Sequence, residues 1–166
     1  MNRVNLFKVV LVLLFTSFLN TSLLAQEVTV GGTVIKPFKI DAGSFATMKR
    51  IEVTTGGHDG KTHHYSGVSL YEILTKAEAV PANQLKGKQM AKYVVVTAAD
   101  NYQVVFAIPE FDPAFTDQII ILADQEDGEK LPANLGPFRL VVPKDKKQAR
   151  NVMRVTSIEV QDARKP

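Results

Sequence analysis

The residues best suited to bind a ligand lie in a basic loop that follows a short apolar segment. Residues 136–152 read GPFRLVVPKDKKQARNV, and the apolar stretch 138–142 stops at Pro143. Proline ends a strand because it has no N–H group to donate to the ladder. Four cations follow it, namely Lys144, Lys146, Lys147 and Arg150. Cations beside free backbone N–H groups suit a phosphate or another anion. A solvated basic turn is the alternative, since charge runs usually face water.

The three histidines do not form a recognisable metal-binding pattern. A turn separates His58 from His63, and His63 and His64 point to opposite faces of a strand. No HxH or HxxxH pair is present, and no cluster of acidic or cysteine residues in the sequence completes a ligand set. We therefore expect no specific metal site. His64, close to Ser66, is still a candidate for lining a pocket.

Nucleophilic catalysis has no better support in the sequence. The chain has no cysteine and no GxSxG motif. Gly31-Gly32 and Gly56-Gly57 are typical of hairpins, not of a phosphate-binding loop that opens a helix. Arg139 lies in the middle of a predicted strand, and if it faces inward it needs an anionic or carbonyl partner. If it faces outward, it is an ordinary surface arginine, and the sequence pattern leaves both orientations open.

Strands are the main elements that would position these residues. Alternating or continuous apolar runs predict strands within residues 28–40, 48–55, 61–65, 93–97, 102–108, 118–123, 138–142 and 155–160. A capping-box pattern from Ser69 to Glu72 and one apolar face predict a helix over 69–77. The economical interpretation is one α+β domain built on a mixed β-sheet or barrel, with few short helices. We place this domain at residues 26–161 and a loose tail at 162–166.

The first 25 residues have the layout of a secretory signal peptide. Arg3 and Lys8 form a basic start, Val9 to Phe15 is apolar, and LLAQ around Ala25 resembles a cleavage site. An uncleaved membrane anchor is the alternative. Removing this segment lowers the formal net charge from +3 to +1, which argues against nucleic-acid or membrane-surface binding. Export without any disulfide is typical of a bacterial periplasm or cell surface, and we expect a periplasmic protein.

The order of several short motifs resembles the molybdopterin-binding domain of the sulfite-oxidase-like oxidoreductases. These motifs are YSGVSLYEIL at 65–74, TAADNY at 97–102, DGEKLP at 127–132, GPFRLVVP at 136–143 and ARNV at 149–152. They follow the family's order over residues 48–160. The resemblance implies the sulfite-oxidase-like fold as a stand-alone domain.

Enzymes of that family hold molybdenum through the dithiolene of the pterin and one cysteine thiolate. The matching position here is near Thr55, in the segment VTTGG. Threonine cannot replace a soft thiolate, because its hydroxyl stays protonated at neutral pH. Thr54 and Thr55 also suit an ordinary strand, which β-branched residues favour. The resemblance therefore implies a domain without a working oxo-transfer centre.

The resemblance places the pterin's phosphate in the basic loop. It matches Arg150 to the family's loop arginine and puts Lys146 and Lys147 beside it. Two residues depart from the pattern: Gln148 stands where a glycine is usual, and Met153 where a second basic residue is usual. These departures imply either weaker phosphate binding or a ligand that carries no phosphate.

The turn before Gln103 supplies the remaining candidates. Tyr102 matches a family tyrosine that points into the site, and Asp100 matches a turn aspartate. A carboxylate accepts two parallel N–H bonds from the aminopyrimidinone edge of a pterin. An Asp-Asn pair is also a common turn without any ligand role.

Three function classes follow from these observations. The first is an exported pterin-binding protein, with molybdopterin as one candidate ligand, that lacks the metal-ligand cysteine. The resemblance implies a non-catalytic sensor or accessory partner of a membrane protein, with no metal and no nucleic acid bound. The alternative is a molybdenum-cofactor-dependent oxidoreductase, or its subunit, without a protein thiolate. A structural domain with an empty pocket is the third.

Overall fold

The computed structural model describes residues 26–57, 60–80 and 84–164, which form two β-sheets. The first sheet contains β1 (Val28–Gly32), β2 (Phe38–Ile40), β5 (Lys92–Ala98), β6 (Gln103–Ala107) and β10 (Val155–Asp162). Its order is β2-β1-β10-β5-β6, in which β1 and β10 are parallel and the other pairs are antiparallel. The α+β prediction with a mixed sheet is therefore confirmed.

The second sheet is antiparallel throughout. It contains β3 (Ile51–Gly56), β4 (Thr62–Ser69), β7 (Ile121–Glu126), β8 (Glu129–Lys130) and β9 (Arg139–Val141). The order is β3-β4-β7-β8, and β9 pairs with the first half of β7. Through this pairing β9 belongs to the second sheet, and the basic loop that follows β9 begins at that sheet.

The described residues form two short α-helices, and three 3-10 turns connect strands among them. The helices are α1 (Ala42–Ala46) and α2 (Leu70–Lys76), and the 3-10 turns span Gly87–Ala91, Ile108–Glu110 and Gln148–Arg150. The side chain of Ser69 accepts a hydrogen bond from the backbone of Glu72, which caps α2 as its sequence pattern predicts. No described helix is both long and apolar enough to cross a membrane.

Several elements differ from the sequence prediction; β4, for example, continues to Ser69, and β8 was not predicted. The strand predicted at 118–123 begins at Ile121 and continues to Glu126, because Gln118 is held in a turn by Thr116 and Ile119 is half exposed. α1 was not predicted, since its five residues are too short for a helical period. Its signal is a capping box formed by Asp41 and Ser44.

Some sequence-based predictions fall outside the described residues. These are the signal peptide at 1–25, the histidine at 58 and the end of the chain at 165–166. The start of the predicted tail is ordered, because β10 continues to Asp162 and the backbone of Ala163 donates to Ala91.

The main hydrophobic core contains side chains of both sheets and both helices. Phe45 of α1 packs edge-on against Phe138, with ring centroids 5.0 Å apart. A second, smaller apolar cluster lies on the opposite face of the second sheet, where alternate residues of β7 and β9 point; it contains Tyr65, Ile121, Ala123, Leu131 and Val141. That second face also carries Thr55, which is paired with His63 in the register of β3 and β4.

Candidate functional site

A buried asparagine holds the two ends of the basic loop together. Asn151 is only 7% exposed, and its side-chain oxygen accepts a hydrogen bond from the backbone N–H of Val142 at 2.8 Å. The backbone of Leu140 donates to Val152 in the same region. The loop from 143 to 150 therefore leaves and re-enters the core at a fixed base. Sequence reasoning missed this role, for which the only signal was a polar residue directly before a buried valine.

Replacing Asn151 with alanine is expected to lower the free energy of unfolding by about 2 kcal/mol, because the buried N–H group of Val142 loses its acceptor. Urea unfolding followed by circular dichroism measures this change. Asn134→Ala is the matched control, since Asn134 is exposed. Equal stability of the two variants would show that the asparagine does not close the loop.

The loop bridges the ends of the two sheets. Gln148 donates its side-chain amide to the carbonyl of Gly56 at the end of β3. Thr55 Oγ1 lies 3.5 Å from the carbonyl oxygen of Pro143. On the other side, the hydroxyl of Tyr102 donates to the carbonyl of Ala149 at 2.7 Å. The structure therefore brings Thr55 and Tyr102 to the basic loop, although they lie on different sheets.

Arg150 is held by carboxylates of its own chain. Its Nε and NH2 groups form a two-point ion pair with Asp145, at 2.7 and 2.8 Å, and its NH1 group pairs with Glu110 at 2.8 Å. The guanidinium also lies over the ring of Phe106, 4.6 Å from the centroid. The hydrogen bonds that Arg150 donates to Asp145, followed by the one it donates to Glu110, raise the pKa of Arg150 above its usual value. Arg150 thus fixes the loop, and three of its five N–H donors are used within the chain.

Lys146 and Lys147, in addition to the exposed Lys144, supply available positive charge in the loop. Both are exposed, and no carboxylate among the described residues forms an ion pair with either. They border an open depression of about 560 Å³ together with Gly57, Gln148 and Ala149. A depression of this size is within the range of small-molecule sites.

The turn between β5 and β6 is shaped by Asp100. Its Oδ1 accepts a hydrogen bond from the backbone N–H of Tyr102 at 3.0 Å, and Asn101 takes a left-handed conformation with φ of 68°. Asp100 is exposed and lies two residues before Tyr102, the residue that contacts the basic loop. No described residue donates to its Oδ2, so that oxygen is open to a ligand.

His64 points away from the face that carries Thr55. It is exposed on β4, opposite Thr54 in the register, and its Nδ1 lies 3.2 Å from the hydroxyl of Thr54. Thr55 and Thr54 alternate across the sheet. His64 is therefore not brought together with the residues of the basic loop.

Arg139 faces inward and is 5% exposed. Its NH1 group donates to the hydroxyl of Tyr65 at 2.9 Å and lies 3.9 Å from Glu126. The guanidinium also lies over the Tyr65 ring, 5.1 Å from the centroid. Its Nε–H has no acceptor among the described residues. The sequence could not give this orientation because β9 is buried on both faces, which removes the alternation that would indicate a side.

His63 has acidic neighbours that the sequence did not reveal. Its Nδ1 lies 2.7 Å from Asp127 Oδ2 and 3.3 Å from Glu126 Oε1. The expectation that no acidic cluster accompanies the histidines is therefore wrong at His63. The carboxylates come from the end of β7, more than sixty residues later, and the pairing of β4 with β7 brings them there.

Hydrogen bonds fix the protonation of this polar cluster. Tyr65 donates its hydroxyl to Glu126 Oε1 at 2.7 Å. Burial and the hydrogen bond to Glu126 raise the pKa of Tyr65 to about 12, so the hydroxyl remains a donor at neutral pH. The backbone N–H of His64, with help from His63, lowers the pKa of Asp127.

Comparison with known proteins defines first the fold class and then the family. The structure is similar to a chain of the sulfane dehydrogenase SoxCD from Paracoccus pantotrophus, with a TM-score of 0.65 and 20% sequence identity. The match covers 82% of this chain but 38% of that one, and it shows a shared fold. No curated protein matches the chain. The model of the oxidoreductase molybdopterin-binding domain matches residues 25–166, and the chain belongs to that family.

Membership of this family implies a pterin cofactor. The residues of the candidate site suit the pterin itself, but they do not suit a molybdenum centre bound through a protein thiolate. The loop offers the exposed cations of Lys146 and Lys147 and the turn offers Asp100, which suit a polar or anionic heterocycle. The sequence prediction puts the metal-binding cysteine of the family near Thr55, whose hydroxyl lies near a backbone carbonyl. The chain contains no cysteine at all. These residues do not fit a molybdenum centre with a protein thiolate.

Proposed function

We propose that this protein binds a pterin between the basic loop, the end of β3 and the β5–β6 turn, and that it does so without oxo-transfer chemistry. The observation that carries the proposal is the loop itself. It holds two lysines free of carboxylate partners beside a depression, while its arginine and asparagine fix it to the core. A pre-ordered loop loses little conformational freedom on binding, which favours affinity.

The ligand would lie with its polar edges toward charged groups of opposite sign. Lys146 and Lys147 suit a carbonyl, hydroxyl or phosphate oxygen, and the free carboxylate oxygen of Asp100 suits the N–H groups of an aminopyrimidinone. Tyr102 connects the turn to the loop, because its backbone N–H donates to Asp100 and its hydroxyl donates to Ala149, and its ring offers a stacking surface. Because Arg150 is already neutralised, the site does not require a phosphate.

We further propose that the protein is exported to the periplasm and reports pterin binding to a membrane protein. The apolar N-terminal segment supports export, and the missing thiolate supports a binding role over a redox role. Fractionation of cells that produce the full-length chain tests the location. Recovery in the cytoplasm with an intact N-terminus would contradict this part of the proposal.

Replacing both Lys146 and Lys147 with glutamine is expected to weaken the binding of neopterin about tenfold, because each substitution removes a charge-assisted contact with the ligand. Titration of neopterin, followed by its fluorescence, measures the dissociation constant. Guanosine, which shares the aminopyrimidinone edge but not the pteridine ring, is expected to bind much more weakly.

The double variant Lys49→Gln and Lys88→Gln is the matched control. Both lysines are exposed and lie outside the basic loop, so the net charge changes equally while the site is untouched. Equal loss of affinity in the two double variants would show that only net charge matters. Failure of the unchanged protein to bind any pterin, oxidised or reduced, would leave a structural role.

A further inference from the structure

The polar cluster on the second sheet contains three side chains that are able to bind a metal ion. His63 Nδ1 and one carboxylate oxygen each of Glu126 and Asp127 lie within 4.8 Å of one another. One imidazole nitrogen and two carboxylate oxygens form a common donor set for a divalent transition metal. Three protein ligands leave a fourth position open for water or another ligand.

We propose that His63, Glu126 and Asp127 form a binding site for a divalent transition-metal cation, with zinc as the best match to the donors. This goes beyond the proposed pterin binding and does not rest on it. The site is on the face of the sheet that carries Thr55, because Thr55 and His63 are paired in the register of β3 and β4. A cation there would lie beside the end of β3, which borders the depression.

The distances between the donor atoms agree with such a site. Donors about 2.1 Å from zinc in a tetrahedral arrangement are about 3.4 Å apart. His63 Nδ1 and Glu126 Oε1 are already separated by 3.3 Å. His63 Nδ1 and Asp127 Oδ2 are 2.7 Å apart. They need to separate by about 0.7 Å to reach the tetrahedral spacing, which a side-chain rotation at the exposed Asp127 supplies.

Neighbouring groups orient both carboxylates for this role. Asp127 Oδ1 accepts the backbone N–H of His64 at 2.8 Å, which leaves Oδ2 facing His63. Glu126 Oε1 accepts the Tyr65 hydroxyl, and Arg139 lies on its Oε2 side. Hydrogen bonds of this kind fix the direction of metal ligands.

An unsatisfied donor beside the cluster is the second indication of a missing ligand. Arg139 is almost fully buried, yet its Nε–H has no acceptor among the described residues. A buried N–H without a partner is costly and calls for a water or an anion. A water or anion carried by the cation would supply that acceptor next to Glu126.

Calorimetric titration of the untagged protein with zinc chloride tests the proposal. We expect one zinc per chain, and a large excess of magnesium should not displace it, because imidazole favours zinc. His63→Gln and Asp127→Asn should each weaken zinc binding roughly 100-fold, because the loss of a residue that only supports a metal ligand already weakens binding by up to this factor. Cobalt added in place of zinc should give visible absorption bands in the unchanged protein and lose them in both variants.

His64→Gln is the matched control, because His64 lies next to His63 but on the other face of the strand. It should bind zinc as the unchanged protein does. Asp127→Asn should fold normally, since φ is 52° at this position and asparagine tolerates that conformation; urea unfolding checks this. Absence of zinc binding, or equal binding in the His63→Gln, Asp127→Asn and His64→Gln variants, would overturn the proposal.

Discussion

Gly67→Ala is expected to be strongly destabilising, lowering the free energy of unfolding by about 4 kcal/mol or more. A Cβ atom at this position would lie 2.1 Å from the carbonyl oxygen of Leu122 and 2.6 Å from the Cα of Ala123. Both contacts are with backbone, so no side-chain rotation relieves them. The register of β4 and β7 also shifts between Ser66 and Gly67, which marks an irregularity of the pairing at this position.

Gly31→Ala is the control for this prediction. Gly31 also lies in a strand, but a Cβ atom there would meet no atom within 4 Å. Its replacement should change the free energy of unfolding by less than about 1 kcal/mol, toward greater stability. Urea unfolding of both variants decides the matter. A similar, small effect of the two substitutions would contradict the close approach of β4 to β7, whose pairing brings Glu126 and Asp127 to His63.

Arg150→Met is expected to lower the free energy of unfolding by about 2 kcal/mol. This value is smaller than that for a buried ion pair because the side chain of Arg150 is one-third exposed. Asp145 and Glu110 would be left without their counterion, and the loop would lose its ties to the core. Neopterin affinity should fall roughly 30-fold, which corresponds to about 2 kcal/mol, because binding would have to reorder the loop. Urea unfolding and fluorescence titration measure the two effects.

Two further substitutions separate the causes. Arg150→Lys keeps the charge but cannot form the two-point pair with Asp145, so it should resemble Arg150→Met more than the unchanged protein. Arg164→Met removes an exposed pair with Asp162 and should leave the free energy of unfolding nearly unchanged. If Arg150→Met bound neopterin normally, the loop would not need this arginine.

Local signals in the sequence were sufficient for much of the fold and for the location of the candidate site. Ser69 caps α2 through its own side chain, and Pro143 ends the apolar segment before the basic loop. Both effects act between residues close in the chain. The loop could therefore be identified as a ligand-binding candidate from its composition alone.

The roles of individual side chains depended on distant parts of the chain. Arg150 was matched to an anion, whereas one of its own partners, Glu110, is forty residues away. The acidic neighbours of His63 come from β7, and the partner of Arg139 is Tyr65 on β4. Sequence patterns report local periodicity, and they do not specify which strands pair. Tertiary pairing therefore decided which cations are neutralised and which are available.

Mass spectrometry of the small molecules that co-purify with the untagged protein, combined with elemental analysis, tests the central claim most directly. The account predicts that denaturing the protein releases a pterin and that the protein contains no stoichiometric molybdenum. One molybdenum per chain would contradict it and favour a redox enzyme. A protein that releases no pterin and takes up none at micromolar concentration would contradict it as well.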